Sequence, residues 1–156
     1  MNRTLKYIKA TPEDHDLLTQ TAMSSKKNWG YADRLMELWR EDLTITPEYI
    51  TRNEVVKVEN ADGFIGFYGL VHKGDHHWEV DHFWLLPGYI RKGYGTRIFE
   101  QILKHIKQQN GRSVSLSSDP NAKGFYDKMG GSVIHREPGK VSGRFLDVYE
   151  FPVNEG

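Results

Sequence analysis

Between Glu54 and Leu86 the chain runs three alternating apolar–polar segments in succession, separated by Asn60-Ala61-Asp62-Gly63 and Lys73-Gly74-Asp75. A period of two predicts strands, and connections this short can join only antiparallel neighbours. A β-meander is therefore built into the middle of the sequence, and any fold must accommodate it. The next stretch differs in kind. "LPGYIRKGYGTRIF", Leu86 to Phe99, places Gly93 and Gly95 one residue apart, directly after Arg91-Lys92. It opens a helix whose apolar face is Ile98, Phe99, Ile102, Leu103 and Ile106, with Glu100 and Lys104 at pairing distance in sequence, i and i+4, on the other side. Asn110-Gly111 ends that helix.

The flanks complete the order of elements. Leu5 to Lys9 predicts a first strand, and Thr11-Pro12-Glu13-Asp14 starts a helix that reaches about Ser24. After Trp29-Gly30-Tyr31, the spacing of Ala32, Leu35, Met36 and Trp39 predicts a second helix. Thr46-Pro47-Glu48 starts a short one ending near Asn53. Downstream, Ser113 to Ser117 reads as a strand, and Asp119-Pro120-Asn121 leads into a short helix that stops at Gly130-Gly131. Ser132 to Arg136 and Phe145 to Phe151 are the last strands. This is a mixed α/β sheet rather than a regular βαβ repeat. There is no internal repeat, linker or low-complexity stretch, so one domain over residues 1–156 is expected.

Composition narrows the function classes. Twenty-one basic and twenty-one acidic residues cancel, which gives no basic footprint for nucleic acid and no polybasic membrane contact. The absence of cysteine removes disulfides, thiolate metal sites and a cysteine nucleophile. No apolar run resembles a signal peptide or a membrane span, so the expectation is a soluble, cytoplasmic protein.

The glycine turn has a physical reading of its own. A helix start exposes unpaired amides and a partial positive charge, and glycine lets backbone approach a ligand closely, which together suit a phosphate. Arg91 and Lys92 add cations, and Thr96 adds a hydroxyl. The Rossmann pattern fails because Ile98 occupies its third glycine position, and a phosphate-binding loop of the G-K-[ST] kind is absent. By itself the pattern is equally a plain strand-to-helix turn.

Its context resembles the GNAT superfamily of acyl-CoA-dependent N-acyltransferases across nearly the whole chain. Two motifs carry the resemblance. Arg91-Lys92-Gly93-Tyr94-Gly95-Thr96 is similar to the family's pyrophosphate-binding turn, and "NAKGFYDKMGG", beginning at Asn121, is similar to its "A…FY…G" segment on the following helix. Ile90 stands where the family often has Gln or Arg, and Asp119 stands where it often has Asn, with Asn121 two positions later. "SSKKNWGY" and "SGRFL" also resemble a bacterial subgroup. The resemblance implies a mostly antiparallel central sheet of about seven strands flanked by helices, with a V-shaped splay between its central parallel strands.

It further implies acetyl transfer from acetyl-CoA to an amine, without a metal. Acyl-CoA would enter the splay, with its pantetheine along Phe83, Trp84 and Leu85 and its pyrophosphate on residues Arg91 to Thr96, including Tyr94 and Gly95. Asn121 and Phe125 would complete the CoA contacts. Glu79 falls where some members place a base carboxylate, with Asp81 and His82 as alternatives; it can equally be a solvated strand residue. Tyr126 matches the tyrosine that protonates the leaving thiolate or bonds its sulfur, or it is a core aromatic beside Phe125. Trp29, Tyr31 and Asp81 are candidates for the acceptor, although Trp29 and Tyr31 also suit packing at a helix junction. Arg144 could hold an acceptor carboxylate or cap a strand pair. His72, His76, His77 and His82 crowd one hairpin, but residues on a strand point alternately and no H-E-x-x-H is present, so they read as surface or cleft-lining groups. The acceptor is expected to be a small-molecule primary amine. A protein or peptide acceptor, and a non-catalytic acyl-CoA sensor, stay open, as does a homodimer.

Overall fold

The computed structural model describes residues 4–141 and 143–153. Its elements are β1 (Lys6–Lys9), α1 (His15–Lys27), α2 (Asp33–Leu43), α3 (Pro47–Arg52), β2 (Glu54–Asn60), β3 (Gly63–Gly74), β4 (His77–Leu85), α4 (Tyr94–Gln108), β5 (Ser113–Ser118), α5 (Lys123–Lys128), β6 (Ser132–Pro138) and β7 (Phe145–Pro152). The seven strands hydrogen-bond in the order β1-β2-β3-β4-β5-β7-β6. The ladders β1–β2, β2–β3, β5–β7 and β6–β7 are antiparallel. The β4–β5 ladder is parallel and short: it pairs His77 with Ser113 and ends at Glu79 with Ser115. This is the mixed, mostly antiparallel sheet that the sequence implied. The chain forms two compact units, one comprising the residues up to Leu70 with His82–Gly95, the other Val71–Asp81 with the chain from Thr96 onward.

In the first unit, α1 buries Leu18, Thr21, Ala22 and Ser25, a stripe at helical spacing, and α2 buries Met36, Trp39 and Leu43. α1 runs to Lys27, beyond the expected Ser24, because nothing breaks it before Gly30, whose φ is +92°. Thr46 caps α3 by accepting the Tyr49 N–H at 3.0 Å. β3 is buried continuously from Ile65 to Leu70. Its two glycines there are spaces for neighbours: a Cβ at Gly66 would lie 2.4 Å from the Trp84 carbonyl, and one at Gly69 would lie 2.9 Å from the Tyr49 hydroxyl.

In the second unit, α4 buries Ile98, Phe99, Ile102 and Ile106, while Leu103 is left half-buried at the margin of that face. Asn110 takes the left-handed cap position, and Gly111 is required by closeness instead: its N–H donates to the Ile106 carbonyl at 2.8 Å, and a Cβ would press on Ile106 and Trp78. The hairpin before β4 turns tightly on Asp75 and His76, both at positive φ, so β3 extends to Gly74, into the expected separator Lys73-Gly74-Asp75.

Candidate active site

In the first unit the chain leaves β4 through Leu86, whose N–H donates to the Ile65 carbonyl at 2.8 Å, and makes one 3-10 turn over Pro87–Tyr89. β4 therefore ends at Leu85, one residue earlier than expected. Two left-handed residues then reverse the backbone: Arg91 at φ +63° and Gly93 at φ +87°. Glycine adopts this geometry freely, whereas arginine does so at a cost. Nothing lies within 4 Å of where a Gly93 side chain would begin. Arg91, Lys92 and Thr96 are exposed. Tyr94, the first residue of α4, is tied back to the meander by Asn60, whose side-chain amide donates to its hydroxyl at 3.1 Å. Tyr89 packs edge-on against Tyr94, with the Lys92 ammonium 6.0 Å from the Tyr89 ring centre.

β4 alternates as expected. Trp78, Val80 and His82 are buried, while Glu79 is half-buried and Asp81 exposed. The Trp84 indole N–H donates to His82 Nδ1 at 3.0 Å, so His82 and Trp84 share a face and the alternation persists through the segment containing Phe83 and Leu85. The β2–β3 and β6–β7 ladders carry bulges, at Val58/Glu59 and Val133/His135.

At the junction after α1, Tyr31 packs edge-on against Trp39 at 4.8 Å, and the Lys26 ammonium sits 4.2 Å from the Trp39 ring and 5.3 Å from the Tyr31 ring. Trp29 is half-buried. A nearby cavity of about 340 Å³ is lined by Met23, Lys27, Asp33, Met36, Glu37 and Arg40, and its charges answer one another as Lys27–Asp33 and Arg40–Glu37.

In the second unit Glu79 faces a mixed field. Burial pushes its carboxyl up, and the charges of Asp81 and Glu137 push the same way against Lys73 and His77. Tyr126 is held by rings: Phe125 at 5.1 Å, Phe99 at 5.7 Å, Tyr149 at 5.8 Å and Phe151 at 6.3 Å. Burial, then the Asp119 carboxylate, drives its phenol well above the ordinary value. Among the described residues its hydroxyl has no hydrogen-bond partner. Asp119 is a hub: Oδ1 accepts the Asn121 backbone N–H at 2.8 Å and its side-chain amide at 3.0 Å, and Oδ2 pairs with Arg144 at 3.5 Å. Two residues assigned separately from sequence, Asn121 and Arg144, thus meet on one carboxylate.

The histidines do not converge. His72 stacks on Trp78, His76 bonds the Asn110 carbonyl, His77 lies between the Ser113 and Ser115 hydroxyls at 2.6 and 3.0 Å, and His82 takes the Trp84 bond. Among the described residues no group of three or more metal-ligating side chains comes together.

Three further residues escaped the sequence reading. Gly66 admits the end of β4, and an isolated glycine inside a strand pattern was its available signal. Asp147 and Tyr149 on β7 hold α5, and nothing in their local sequence marks them.

No curated protein matches the chain by sequence. Among solved structures, PaiA N-acetyltransferase from Thermoplasma acidophilum, in complex with coenzyme A, is 20% identical, with a TM-score of 0.75 over 96% of this chain and 99% of that one. An aminoglycoside 6'-N-acetyltransferase complexed with coenzyme A is 14% identical (TM-score 0.71, 98% of each chain). The ribosomal-protein-S18-alanine N-acetyltransferase of Escherichia coli is 11% identical (TM-score 0.71, 98% of this chain and 96% of that one). Identities this low speak for the fold alone. The sequence profile of the Acetyltransferase (GNAT) family spans residues 17–131, a stretch that includes the meander, the glycine turn and α5, and the chain belongs to that family.

Proposed function

We propose that the chain is an acetyl-CoA-dependent N-acetyltransferase that acetylates a primary amine of a small molecule. The observation that supports this most directly is the turn at Arg91–Gly93: a backbone set in left-handed geometry at the start of α4, with open space where a side chain would stand. In a chain of this family, such a turn fits a pyrophosphate, with the first amides of α4, the Thr96 hydroxyl and the exposed Arg91 and Lys92 as donors. Phe83, Trp84 and Leu85 are assigned to the pantetheine arm, and Asn121 and Phe125 to further contacts with CoA.

Acetyl-CoA supplies an acyl group activated as a thioester. The residues of the chain handle protons and charge. An alkylamine with a pKa near ~10 is neutral in about one molecule per thousand at pH 7, so a base is required. Glu79 is assigned this role because its environment raises its carboxyl toward the working pH. It accepts one proton from the acceptor ammonium; the neutral nitrogen attacks the carbonyl carbon, the C–S bond breaks, and the second proton lost from nitrogen ends on the departing thiolate, giving the amide and the CoA thiol. Tyr126 is assigned to the departing sulfur. Here magnitudes select between two roles. A thiol has a reference pKa of ~8.5 and a phenol ~10, and Tyr126 is driven higher still. Full proton transfer to the thiolate is uphill, so Tyr126 donates a hydrogen bond to sulfur and keeps its proton. Trp29, Tyr31, Asp81 and Arg144 are assigned to the acceptor side. The similar structures named above include enzymes for an aminoglycoside and for a ribosomal protein, so acceptor size must be measured.

The test is thiol release from acetyl-CoA across a panel of small amines and peptides. The chain has no cysteine, so it contributes no thiol background. Release with small amines is expected. Release with peptides alone would move the acceptor to protein, binding without release would favour an acyl-CoA sensor, and absence of binding would refute both readings.

A further inference from the structure

α5 has six residues, too few to hold its own place, so its position comes from tertiary anchors. Those anchors lie on one face of β7. The Asp147 carboxylate, 7% exposed, binds the Lys123 ammonium at 2.6 Å and the Arg136 guanidinium at 3.0 Å. Two residues along the same face, the Tyr149 hydroxyl donates to Asp127 Oδ1 at 2.7 Å. Lys123 is the first residue of α5 and Asp127 the fifth, so the helix is pinned near both ends. Tyr126 lies between these anchors.

The hydroxyl of Tyr126 has no partner among the described residues, so no bond to the hydroxyl itself sets its position. Its aim is inherited from the ring cluster and from where α5 sits. We infer that Asp147 and Tyr149 are positioning residues that act through α5 to hold the Tyr126 hydroxyl at the reacting sulfur. Asp147 suits the task because Lys123 and then Arg136 hold its carboxyl below the ordinary range, so it stays charged across the working pH. Tyr149 suits it because its ring is fully buried in the same aromatic cluster while its hydroxyl reaches the helix.

This inference rests on the role assigned to Tyr126, and the experiment separates the two. Tyr149→Phe keeps the ring and removes the hydroxyl that bonds Asp127 Oδ1 at 2.7 Å and the Lys123 carbonyl at 3.4 Å, and Lys123→Met cuts the other anchor from a partly exposed position without unpairing Asp147 from Arg136. Each is expected to lower kcat roughly threefold to tenfold with a smaller rise in KM for acetyl-CoA, since α5 also carries Phe125, assigned to the cofactor. Tyr126→Phe combined with either is expected to be no slower than Tyr126→Phe alone, because a misplaced hydroxyl and a missing one are equivalent. A general loosening of the fold would instead make the losses multiply. Wild-type turnover in Tyr149→Phe and Lys123→Met, with Tyr126→Phe impaired, overturns the positioning role alone. Multiplying losses overturn it as well. Wild-type turnover in Tyr126→Phe removes the group being positioned and overturns both readings.

Discussion

Around Gly93 the chain is exposed and open, and the feature that matters is a backbone angle. Around Tyr126 it is packed, and what matters is a network of side chains drawn from α4, α5 and β7. On the proposed reading, the turn binds through amides that any sequence would carry, provided the backbone reaches a conformation that glycine tolerates. The tyrosine, in the role proposed for it, acts through one side-chain atom, whose place depends on residues distant in sequence. A substitution should therefore destroy binding at the turn with little loss of fold, and should spare binding while degrading turnover at the tyrosine.

The largest effect belongs to Gly93→Val. Holding a β-branched residue at φ +87° costs roughly 1–3 kcal/mol, and the turn can relax into solvent because nothing crowds it. Acetyl-CoA affinity, read by calorimetry, is expected to fall at least a hundredfold while the thermal midpoint shifts by only a few degrees. Retained affinity would show that the turn is plain chain reversal, and the contrast with Tyr126 would collapse.

Glu79→Gln comes next. Loss of a general base is worth about a hundredfold or more in kcat. The same variant carries a stability signature with a definite sign. The folded carboxyl titrates above its ordinary value, so between the two values the native state holds more protons than the unfolded chain. Stability therefore falls as pH rises through that window and stays lower above it. Gln removes the effect. The variant is expected to melt higher than the wild type at pH 7.5, with the gap closing by pH 4. A slow enzyme without that crossover would mean Glu79 acts through its shape rather than its charge.

Why one region was legible and the other was not follows from these constructions. The Arg91–Gly95 turn announces itself because its requirements are local: glycines, flanking cations, a strand before and a helix after. β2 was equally legible, with its bounds at Glu54 and Asn60 set by alternation and a turn. Asp147 could not be read this way. On β7 it looks like any polar residue facing out of a strand, and Lys123 and Arg136 arrive from other elements. The turn after β3 was legible from Lys73-Gly74-Asp75, but its left-handed run continues one residue further, to His76, which no turn signal marks. Arg144 was left between two uses by its sequence, and the structure pairs it with Asp119.

Tyr126→Phe sharpens the comparison from the packed side. The ring contacts survive the change, so the fold and acetyl-CoA affinity are expected to hold. The lost hydrogen bond to sulfur should lower kcat about tenfold at neutral pH, less than loss of the base, because a thiolate leaves readily without a proton. The pH–rate profile adds a separate readout. A phenol that never ionises in the working range contributes no alkaline limb, so wild type and variant should share the same profile shape between pH 6 and 9. An alkaline limb lost in the variant would mean that Tyr126 transfers its proton after all.

The smallest effect tests whether the turn is as self-contained as its exposure suggests. Asn60, at the end of β2, donates to the Tyr94 hydroxyl at 3.1 Å and so ties the first residue of α4 to the meander. The bond is partly buried, and a neutral hydrogen bond of this kind contributes about 0.5–1.5 kcal/mol. If it steadies the amides that meet the phosphate, Asn60→Ala should raise KM for acetyl-CoA roughly threefold and leave kcat unchanged. That pattern opposes the one expected of Tyr149→Phe, where kcat takes the larger change, and it would extend the contrast between binding by backbone and turnover by side chain to the residues behind each. An unchanged KM would mean that Gly93 and Arg91 fix the turn by themselves, while a lowered kcat with KM intact would place Asn60 on the side of the chemistry and break the division.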